Sequence, residues 1–183
     1  MRNETPRLVM RRFMPADLDP FAAMNADPLV MEHFPSIQTR EETQSFIDRI
    51  ESHFDSHGFS LWALELKSTG ELIGFTGLIT QTFEAHFTPA VEIGWRLARH
   101  TWRQGFASEA AREALRIGFV DYGLAEIVSM TTTTNLPSQA VMRSIGMSRD
   151  PSDDFDHPRV PEGSPLRRHV LYRLSPPEWE RTI

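Results

Sequence analysis

The segment from Trp102 to Ala110, with the sequence WRQGFASEA, has the residue types of a loop that holds an anion. Gly105 permits a tight backbone turn, and Ala107 is small enough for a ligand to approach the chain closely. A helix is predicted to begin at this turn, and the first N–H groups of a helix, at the positive end of its dipole, favour phosphate binding. Many proteins join a strand to a helix through a glycine, so a purely structural turn is the alternative interpretation.

A carboxylate precedes this loop, in the middle of a strand with alternating side chains. In the stretch 89–97 the apolar residues Val91 and Ile93 face one way, whereas Glu92 faces the other. A carboxylate in a cleft can accept a proton from an ammonium group, directly or through water. The alternative for Glu92 is a surface carboxylate that forms a salt bridge with Arg96 on the same strand.

Two polar residues lie near the start of a short helix that is predicted over 137–145. Asn135 precedes the helix, and Ser138 lies in its first turn. A serine hydroxyl there can donate a hydrogen bond to a leaving group, but serine is also a common helix-capping residue. The sequence leaves both interpretations of Ser138 open.

Two further features are candidates for substrate binding. His86 lies in a loop between two strands, where an imidazole can bind a substrate, act as a base near neutral pH, or simply be exposed or packed. The stretch 151–165 is predicted to be a long ordered loop, either a lid over the substrate or a plain surface loop. Its spacing of carboxylates is not that of a calcium loop, so no metal site is expected. As a lid it would offer a cationic acceptor four carboxylates: Asp153, Asp154, Asp156 and Glu162.

These residues need a sheet and helices to position them, and the hydrophobic periodicity predicts the order β-α-α-β-β-β-α-β-α-β. Thr39 and Glu42 form a capping-box pattern at the start of one helix, and Gly123 marks the stop of another. This order favours a single α+β sheet with helices over a doubly wound alternation. The predicted strands are 7–12, 61–66, 71–80, 89–97, 125–131 and 168–174, and the predicted helices are 17–25, 39–55, 106 to Gly123, and 137–145.

Length and composition exclude several function classes. The chain has 183 residues, of which 40% are hydrophobic, and this predicts one domain over 1–183 with its own core. The absence of cysteine excludes a disulfide scaffold and a cysteine nucleophile. The net charge of −6 argues against nucleic acid as a partner. No stretch reaches the roughly 18 apolar residues of a membrane span, and the N-terminus lacks a signal-peptide pattern. No membrane partner is therefore expected, and the expected location is cytoplasmic.

The strand 92–97, the loop 104–110 and the segment from Asn135 to Met147 together resemble the GNAT superfamily of acyl-CoA-dependent N-acetyltransferases. The sequence looks most like the branch of ribosomal-protein N-terminal alanine acetyltransferases. The order of elements matches as well, so the resemblance covers nearly the whole chain. It implies a GNAT-like mixed, mainly antiparallel sheet flanked by helices, with acetyl-CoA as the co-substrate and no metal.

The resemblance also implies roles for individual residues. Glu92 is the natural base or amine-binding group, and the backbone N–H groups of Gly94 and Trp95 polarise the thioester carbonyl. Asn135 lies near the pantetheine arm and Ser138 near the sulfur. The implied cofactor-binding residues are Trp95, Arg96, Leu97, Arg103, Gln104, Gly105, Phe106, Ala107, Ser108, Asn135 and Ser138.

Two positions depart from the pattern of the superfamily. Trp102 stands where the loop usually begins with arginine or glutamine, and Met142 stands where many members have a tyrosine that acts as general acid. The missing tyrosine favours Ser138, or water, as the partner of the leaving thiolate. Because Trp102 cannot supply the usual side-chain contact to phosphate, Arg99, Arg103 or Gln104 is expected to supply it.

The sequence therefore predicts transfer of an acetyl group from acetyl-CoA to a primary amine by direct attack in a ternary complex. The acceptor is a protein N-terminus or a small-molecule amine, and a homodimer stays open. The alternative is a catalytically silent acyl-CoA-binding module that acts as a sensor or partner, which the departures at Trp102 and Met142 favour and Glu92 opposes. A nucleotide-phosphate binder of another kind is excluded, because Lys67 is the only lysine and no GxGxxG occurs.

Overall fold

The computed structural model describes residues 2–181, so residues 1, 182 and 183 of the predicted domain lie outside the described part. The strands are β1 (Asn3–Glu4), β2 (Leu8–Arg11), β3 (Leu61–Leu66), β4 (Leu72–Gln81), β5 (Ala90–Leu97), β6 (Ile127–Thr132), β7 (Phe155–Asp156) and β8 (Arg168–Leu174). The helices are α1 (Leu18–Asn25), α2 (Arg40–His57), α3 (Phe106–Arg116), α4 (Leu136–Ser144) and α5 (Pro176–Glu180). The predicted α+β class is confirmed.

All eight strands form one sheet in the order β1-β2-β3-β4-β5-β6-β8-β7. Neighbours pair antiparallel except β5 and β6, which run parallel and share a single residue pair, Glu92 with Val128. By contrast β4 and β5 pair along eight residues, from Gly74 opposite Leu97 to Gln81 opposite Ala90. The sheet is therefore continuous on one side of β5 and barely joined on the other.

Helix α2 begins and ends where its sequence signals predict. The Thr39 hydroxyl accepts from the Glu42 N–H, and the Glu42 carboxylate accepts from the Thr39 N–H, so the predicted capping box is present. Gly58 ends the helix in the left-handed region, with φ of +79°, and its N–H donates to the Phe54 carbonyl. The predicted end near residue 55 was two residues short.

Helix α3 continues into a π-helical turn, Ile117–Asp121, and reaches the predicted stop at Gly123, whose φ is +62°. The turn packs against the sheet through Gly118. A Cβ there would lie 2.7 Å from Cδ1 of Ile127 and 2.9 Å from Cδ1 of Leu78, closer than atoms can pack. The missing side chain thus lets α3 lie against the two strands that flank β5.

The apolar side chains form a large core and a small one. In the large core Trp62, Phe21 and Ile93 are fully buried. The small core consists of Phe83, Val128, Phe155 and Leu171. Because Phe155 lies on β7 and Leu171 on β8, the small core fixes the chain after α4 to the β6–β8 edge of the sheet.

Three short elements were not predicted: β1, β7 and α5. Each has five residues or fewer, and β1 and β7 are edge strands whose pairing partners define them. The predicted loop 151–165 begins with a 3₁₀ turn and contains β7. Within residues 2–181, no helix has the length and apolar character needed to cross a membrane.

Candidate functional site

The parallel pair β5 and β6 diverges directly after Glu92. The Ser129 hydroxyl donates to the Ile93 carbonyl at 2.9 Å, and no further ladder pair joins the two strands in the described chain. A Cβ built on Gly94 would meet no heavy atom within 4 Å outside its neighbours in the chain. The divergence leaves a cleft where the backbone edge of β5 can bond an extended ligand.

The carboxyl group of Glu92 lies at the point of divergence. It accepts from Nε2 of Gln81 at 2.5 Å and from the backbone N–H of Met130. Desolvation by the surrounding protein outweighs both hydrogen bonds and raises the pKa of Glu92 to about 7. A carboxylate with this pKa can act as a general base near neutral pH.

The salt bridge between Glu92 and Arg96, the alternative from the sequence, does not form. Arg96 turns to helix α1 instead, where its Nη1 donates to Oδ1 of Asn25 at 2.8 Å. The side chains of Arg96, Leu97 and Phe106 are all under 9% exposed. Of these three predicted cofactor residues, only the backbone can therefore meet a ligand.

The loop before α3 has the geometry of an anion cradle. Arg103 and Gly105 both have left-handed backbone angles, with φ of +60° and +80°. The first free N–H groups of α3, those of Phe106, Ala107 and Ser108, have no hydrogen-bond acceptor within residues 2–181. These donors and the helix dipole suit a diphosphate.

Charged and polar side chains around the cradle are either exposed or already bonded. The Arg103 guanidinium is exposed and has no ion-pair partner in the described chain. The Gln104 amide donates to the His100 carbonyl at 2.9 Å, and the Ser108 hydroxyl bonds that of Ser144 at 2.9 Å. Trp102 bonds back to the end of β5, since its Nε1 donates to the Leu97 carbonyl at 2.8 Å. Arg103 is therefore the cradle residue best placed to add a positive charge.

Arg7 supports the cradle, and sequence reasoning missed it. Its Nη1 donates to the Gln104 carbonyl at 2.9 Å, and its guanidinium lies 4.3 Å from the centre of the Phe106 ring. Its Nε donates to Glu109 at 2.6 Å. Burial alone would raise the pKa of Glu109, but the hydrogen bonds from Thr5 and Arg7 lower it, which keeps this carboxylate charged. No sequence signal links residue 7 to a loop about a hundred residues later.

Asn135, and not Ser138, caps helix α4. The Asn135 Oδ1 accepts from the Ser138 N–H at 3.1 Å, and Nδ2 donates to the Thr131 hydroxyl at 2.9 Å. The predicted capping alternative for Ser138 is therefore wrong. The Ser138 hydroxyl makes no hydrogen bond within residues 2–181, which leaves it available to a ligand.

The two tyrosines do not replace the general acid missing at Met142. Met142 itself is 1% exposed and belongs to the large core. The Tyr122 hydroxyl donates to the Gly58 carbonyl at 2.6 Å, and the Tyr172 hydroxyl accepts from Nη1 of Arg143 at 3.1 Å. Both tyrosine hydroxyls are thus already bonded, and the prediction that Ser138 or water takes this role stays open.

The carboxylates of the loop 151–165, which one alternative interpreted as a lid, lie beside four arginines from outside the loop. Asp153 lies 2.6 Å from Nε of Arg173 and 3.2 Å from Nε2 of His86. The pKa of Asp153 is lowered, first by the hydrogen bond from Arg173. The other three carboxylates are also paired: Asp154 with Arg149, Asp156 with Arg168 and Arg167, and Glu162 with Arg167. The expectation that these four groups serve a cationic acceptor is therefore not supported.

His86 is part of this same cluster. Its ring contacts Phe87 and Phe155, at centroid distances of 5.3 and 6.4 Å, while Nε2 meets Asp153. The imidazole is 47% exposed and contacts Asp153, so of the alternatives that the sequence left open it matches an exposed side chain. No group of three or more acidic or histidine side chains in residues 2–181 is arranged to hold a metal ion.

A cavity of about 500 Å³ lies between the α1–α2 connection and the start of α4. Glu32 and His33 form one wall, and His33 Nδ1 lies 3.3 Å from the Thr132 hydroxyl at the end of β6. Sequence reasoning missed this cavity because its walls are far apart in the chain. The remaining lining residues are Thr134, Leu136, Pro137 and Leu166.

This chain is similar to known acetyltransferases in sequence and in fold. Residues 7–148 match the family model described as acetyltransferase (GNAT) domain. The FsC-acetyl coenzyme A-N(2)-transacetylase of Aspergillus fumigatus is 33% identical over 68% of this chain and 53% of its own length. The crystal structure of a GNAT-family acetyltransferase from Bacillus anthracis has a TM-score of 0.79 at 26% identity, over 96% of this chain and 98% of that one.

The ribosomal-protein branch is also among the structural neighbours. RimJ of Mycobacterium smegmatis, solved in complex with CoA-disulfide, has a TM-score of 0.74 at 17% identity. The match covers 97% of this chain and 88% of RimJ. At this identity the likeness extends to the fold alone.

Proposed function

Since the chain belongs to the GNAT acetyltransferase family, and is thus an acetyl-CoA-dependent acyltransferase, we propose that a primary amine attacks acetyl-CoA directly in a ternary complex on this single domain. The observation that carries this proposal is the position of Glu92 where β5 and β6 diverge, two residues before the open space at Gly94; burial there raises its pKa to about 7. An amine must be neutral to attack, and a carboxylate with this pKa can take its proton.

The described residues fit acetyl-CoA. The N–H groups of residues 106–108 and the exposed Arg103 guanidinium suit the pyrophosphate, and the free edge of β5 suits the pantetheine arm. The bound co-substrate supplies the thioester whose acetyl group is transferred. In this arrangement the cradle sets the depth of the thioester in the cleft, and Gly94 leaves room for it.

Three groups of the chain act on the reacting atoms. Glu92 accepts the ammonium proton, directly or through one water. The N–H group of Trp95, on the open edge of β5, donates to the carbonyl oxygen as negative charge develops on it. The predicted donation from Gly94 is not supported, because the Gly94 backbone faces β4, where its carbonyl accepts from the Thr76 hydroxyl. As the carbon–sulfur bond breaks, the free hydroxyl of Ser138 donates a hydrogen bond to the thiolate. The nitrogen loses a second proton, which passes to the thiolate directly or through water, so that transfer ends with an acetylated amine and free CoA as the thiol.

The acceptor enters, in this proposal, through the cavity beside Glu32 and His33. The Glu32 carboxylate, which is 66% exposed and lies 4.0 Å from Nε2 of His33, can attract an ammonium group. Leu136 and Leu166 offer apolar contact. A protein N-terminus and a small-molecule amine both meet these requirements. The proposed location is the cytoplasm, where acetyl-CoA is available.

The test is an acceptor panel with acetyl-CoA, in which thiol release and the acetylated product are both measured. The panel contains short peptides with free N-termini, the same peptides with blocked N-termini, polyamines and amino sugars. We expect amine-dependent thiol release, with product mass raised by one acetyl group. CoA binding without amine-dependent release for any member would favour the silent acyl-CoA-binding module instead.

Ser138→Ala tests the proposed thiolate donor. We expect kcat to fall about tenfold, the worth of one hydrogen bond made in the transition state, while affinity for CoA stays within about twofold. Because Asn135 provides the cap, the substitution should leave the stability of α4 nearly unchanged. Steady-state kinetics and thermal unfolding check the two parts, and an unchanged kcat would assign the donor role to water.

Asn135→Ala provides a contrast in the same turn. It removes the cap of α4 and the bond to Thr131, so we expect a loss of about 1 kcal/mol in the free energy of unfolding. If Asn135 also meets the pantetheine arm, affinity for CoA falls more than kcat does. Denaturant unfolding and calorimetry with CoA separate the two effects.

A further inference from the structure

Within residues 2–181, the guanidinium of Arg96 is buried without an acidic partner. The residue is 7% exposed, its Nε has no hydrogen-bond partner, and its Nη1 bonds only the neutral amide of Asn25. Burial lowers the pKa of Arg96 to about 10, so the group is still charged at neutral pH. A buried cation without a counter-charge is costly, which indicates a purpose other than stability.

Aromatic rings take the place of the missing carboxylate. The guanidinium carbon lies 4.1 Å from the centre of the Phe34 ring and 5.4 Å from that of Phe75. Phe75 is buried in the core, whereas Phe34 is 37% exposed and belongs to the connection between α1 and α2. The planar cation therefore ties a surface segment to the middle of the sheet.

Asn25 fixes both ends of that connection. Asn25 is fully buried, and its Nδ2 donates to the Thr43 hydroxyl on α2 at 3.2 Å. Its backbone carbonyl accepts from the Gln38 N–H at 3.0 Å. The segment 26–38 is thus a loop whose ends meet at Asn25. Arg96 contacts Asn25, where the ends of the loop meet, and Phe34 within the loop.

The same loop carries one wall of the cavity. Glu32 and His33 immediately precede Phe34, and both line the cavity. Arg96 shares its strand and its strand face with Glu92, four residues earlier. One side chain of β5 therefore connects the strand that carries Glu92 to the loop that carries this wall.

We infer that Arg96 is a positioning residue for the acceptor: by holding Asn25 and Phe34 it sets Glu32 and His33 at a fixed place relative to Glu92. The inference rests on the proposed function, because it assigns the cavity to the acceptor amine. In this inference the side chain of Arg96, predicted from the sequence to bind the cofactor, instead positions residues that bind the acceptor. Lysine, a point charge without a planar face, should replace it only in part.

The test compares Arg96→Met, Arg96→Lys and Phe34→Leu with the wild-type protein, using the best acceptor of the amine panel. We expect Arg96→Met and Phe34→Leu to raise the KM of the acceptor about tenfold, with the KM of acetyl-CoA within about twofold, and Arg96→Lys to fall between. Equal rises in both KM values, or a fall in kcat alone, would overturn the inference. Phe34→Leu keeps the test valid if Arg96→Met does not fold, because Phe34 lies at the surface.

Hydrogen exchange provides a readout that does not depend on activity. We expect faster amide exchange in residues 26–38 of both Arg96→Met and Phe34→Leu, with unchanged exchange in residues 104–116 around the cradle. Unchanged exchange in 26–38 would overturn the inference even if no acceptor were found. An inactive wild-type protein with the expected exchange would instead contradict the proposed function alone.

Discussion

Replacing Glu92 with glutamine is expected to lower kcat about 10²- to 10⁴-fold near pH 7, the usual worth of a general base. The amide keeps the shape of the side chain, and its carbonyl oxygen can still accept a hydrogen bond from Gln81 or from the Met130 N–H, so the cleft should keep its geometry. Only the capacity to accept a proton is lost. Affinity for CoA, measured by calorimetry, should stay within about twofold because the cradle does not include Glu92.

The pH profile identifies Glu92 as the group responsible. In the wild-type protein, activity should rise with pH through about 7, as Glu92 loses its proton and becomes a base. The loss in Glu92→Gln should shrink at higher pH, where bulk hydroxide deprotonates the amine. A matched control is Glu41→Gln, an exposed carboxylate at the start of α2, which should leave kcat unchanged. Wild-type turnover of Glu92→Gln across pH 6 to 9 would contradict the assignment.

The same substitution has an expected effect on stability that does not depend on catalysis. The folded protein raises the pKa of Glu92 from 4.5 to about 7, so the unfolded chain ionises first as pH rises. The stability of the wild-type protein therefore declines, relative to Glu92→Gln, between about pH 4.5 and pH 7 and stays lower above it. We expect Glu92→Gln to be more stable by roughly 1–3 kcal/mol at pH 8 and nearly equal at pH 4. Thermal unfolding of both proteins at the two pH values checks this.

Elements with local signals were predictable from the sequence. Strand β3, strand β8 and the start of α2 match their predicted positions, because alternation and the Thr39–Glu42 capping box act over a few residues. The edge strands β1 and β7 were not predictable. Each has two residues, and only a partner strand gives such a short segment its extended form.

The site could be predicted in part, for the same physical reason. The alternation in β5 and the resemblance to GNAT proteins identified Glu92, and the glycine at 105 identified the cradle. The raised pKa of Glu92, by contrast, comes from burial, opposed by hydrogen bonds from Gln81 on β4 and Met130 on β6, which lie 11 and 38 residues from Glu92 in the chain. The pairing of Asp153 with Arg173 is also long-range, and it argues against the alternative that the loop 151–165 offers free carboxylates to a cationic acceptor.

Gly105→Val is expected to weaken CoA binding about 30-fold or more. Gly105 has φ of +80°, a conformation that costs a residue with a side chain about 1–2 kcal/mol and a β-branched residue more. A Cβ there would lie 3.4 Å from Nη2 of Arg7, so the space is nearly sufficient and the backbone angle is the main obstacle. The chain should relieve the strain by rotating the first N–H groups of α3 away from the pyrophosphate. Loss of even one charge-assisted hydrogen bond accounts for the expected change.

A control variant separates the loss of the cradle from general backbone strain. Gly70, in the turn between β3 and β4, has φ of +74° and no atom within 4 Å of a built Cβ. Gly70→Val should therefore lower the melting temperature by a similar amount as Gly105→Val while leaving the Kd for CoA unchanged. Gly105→Ala should weaken binding less than Gly105→Val, because alanine tolerates the left-handed region better than a β-branched residue. A folded Gly105→Val protein with the wild-type Kd, measured by calorimetry, would mean that the pyrophosphate does not bind at the start of α3.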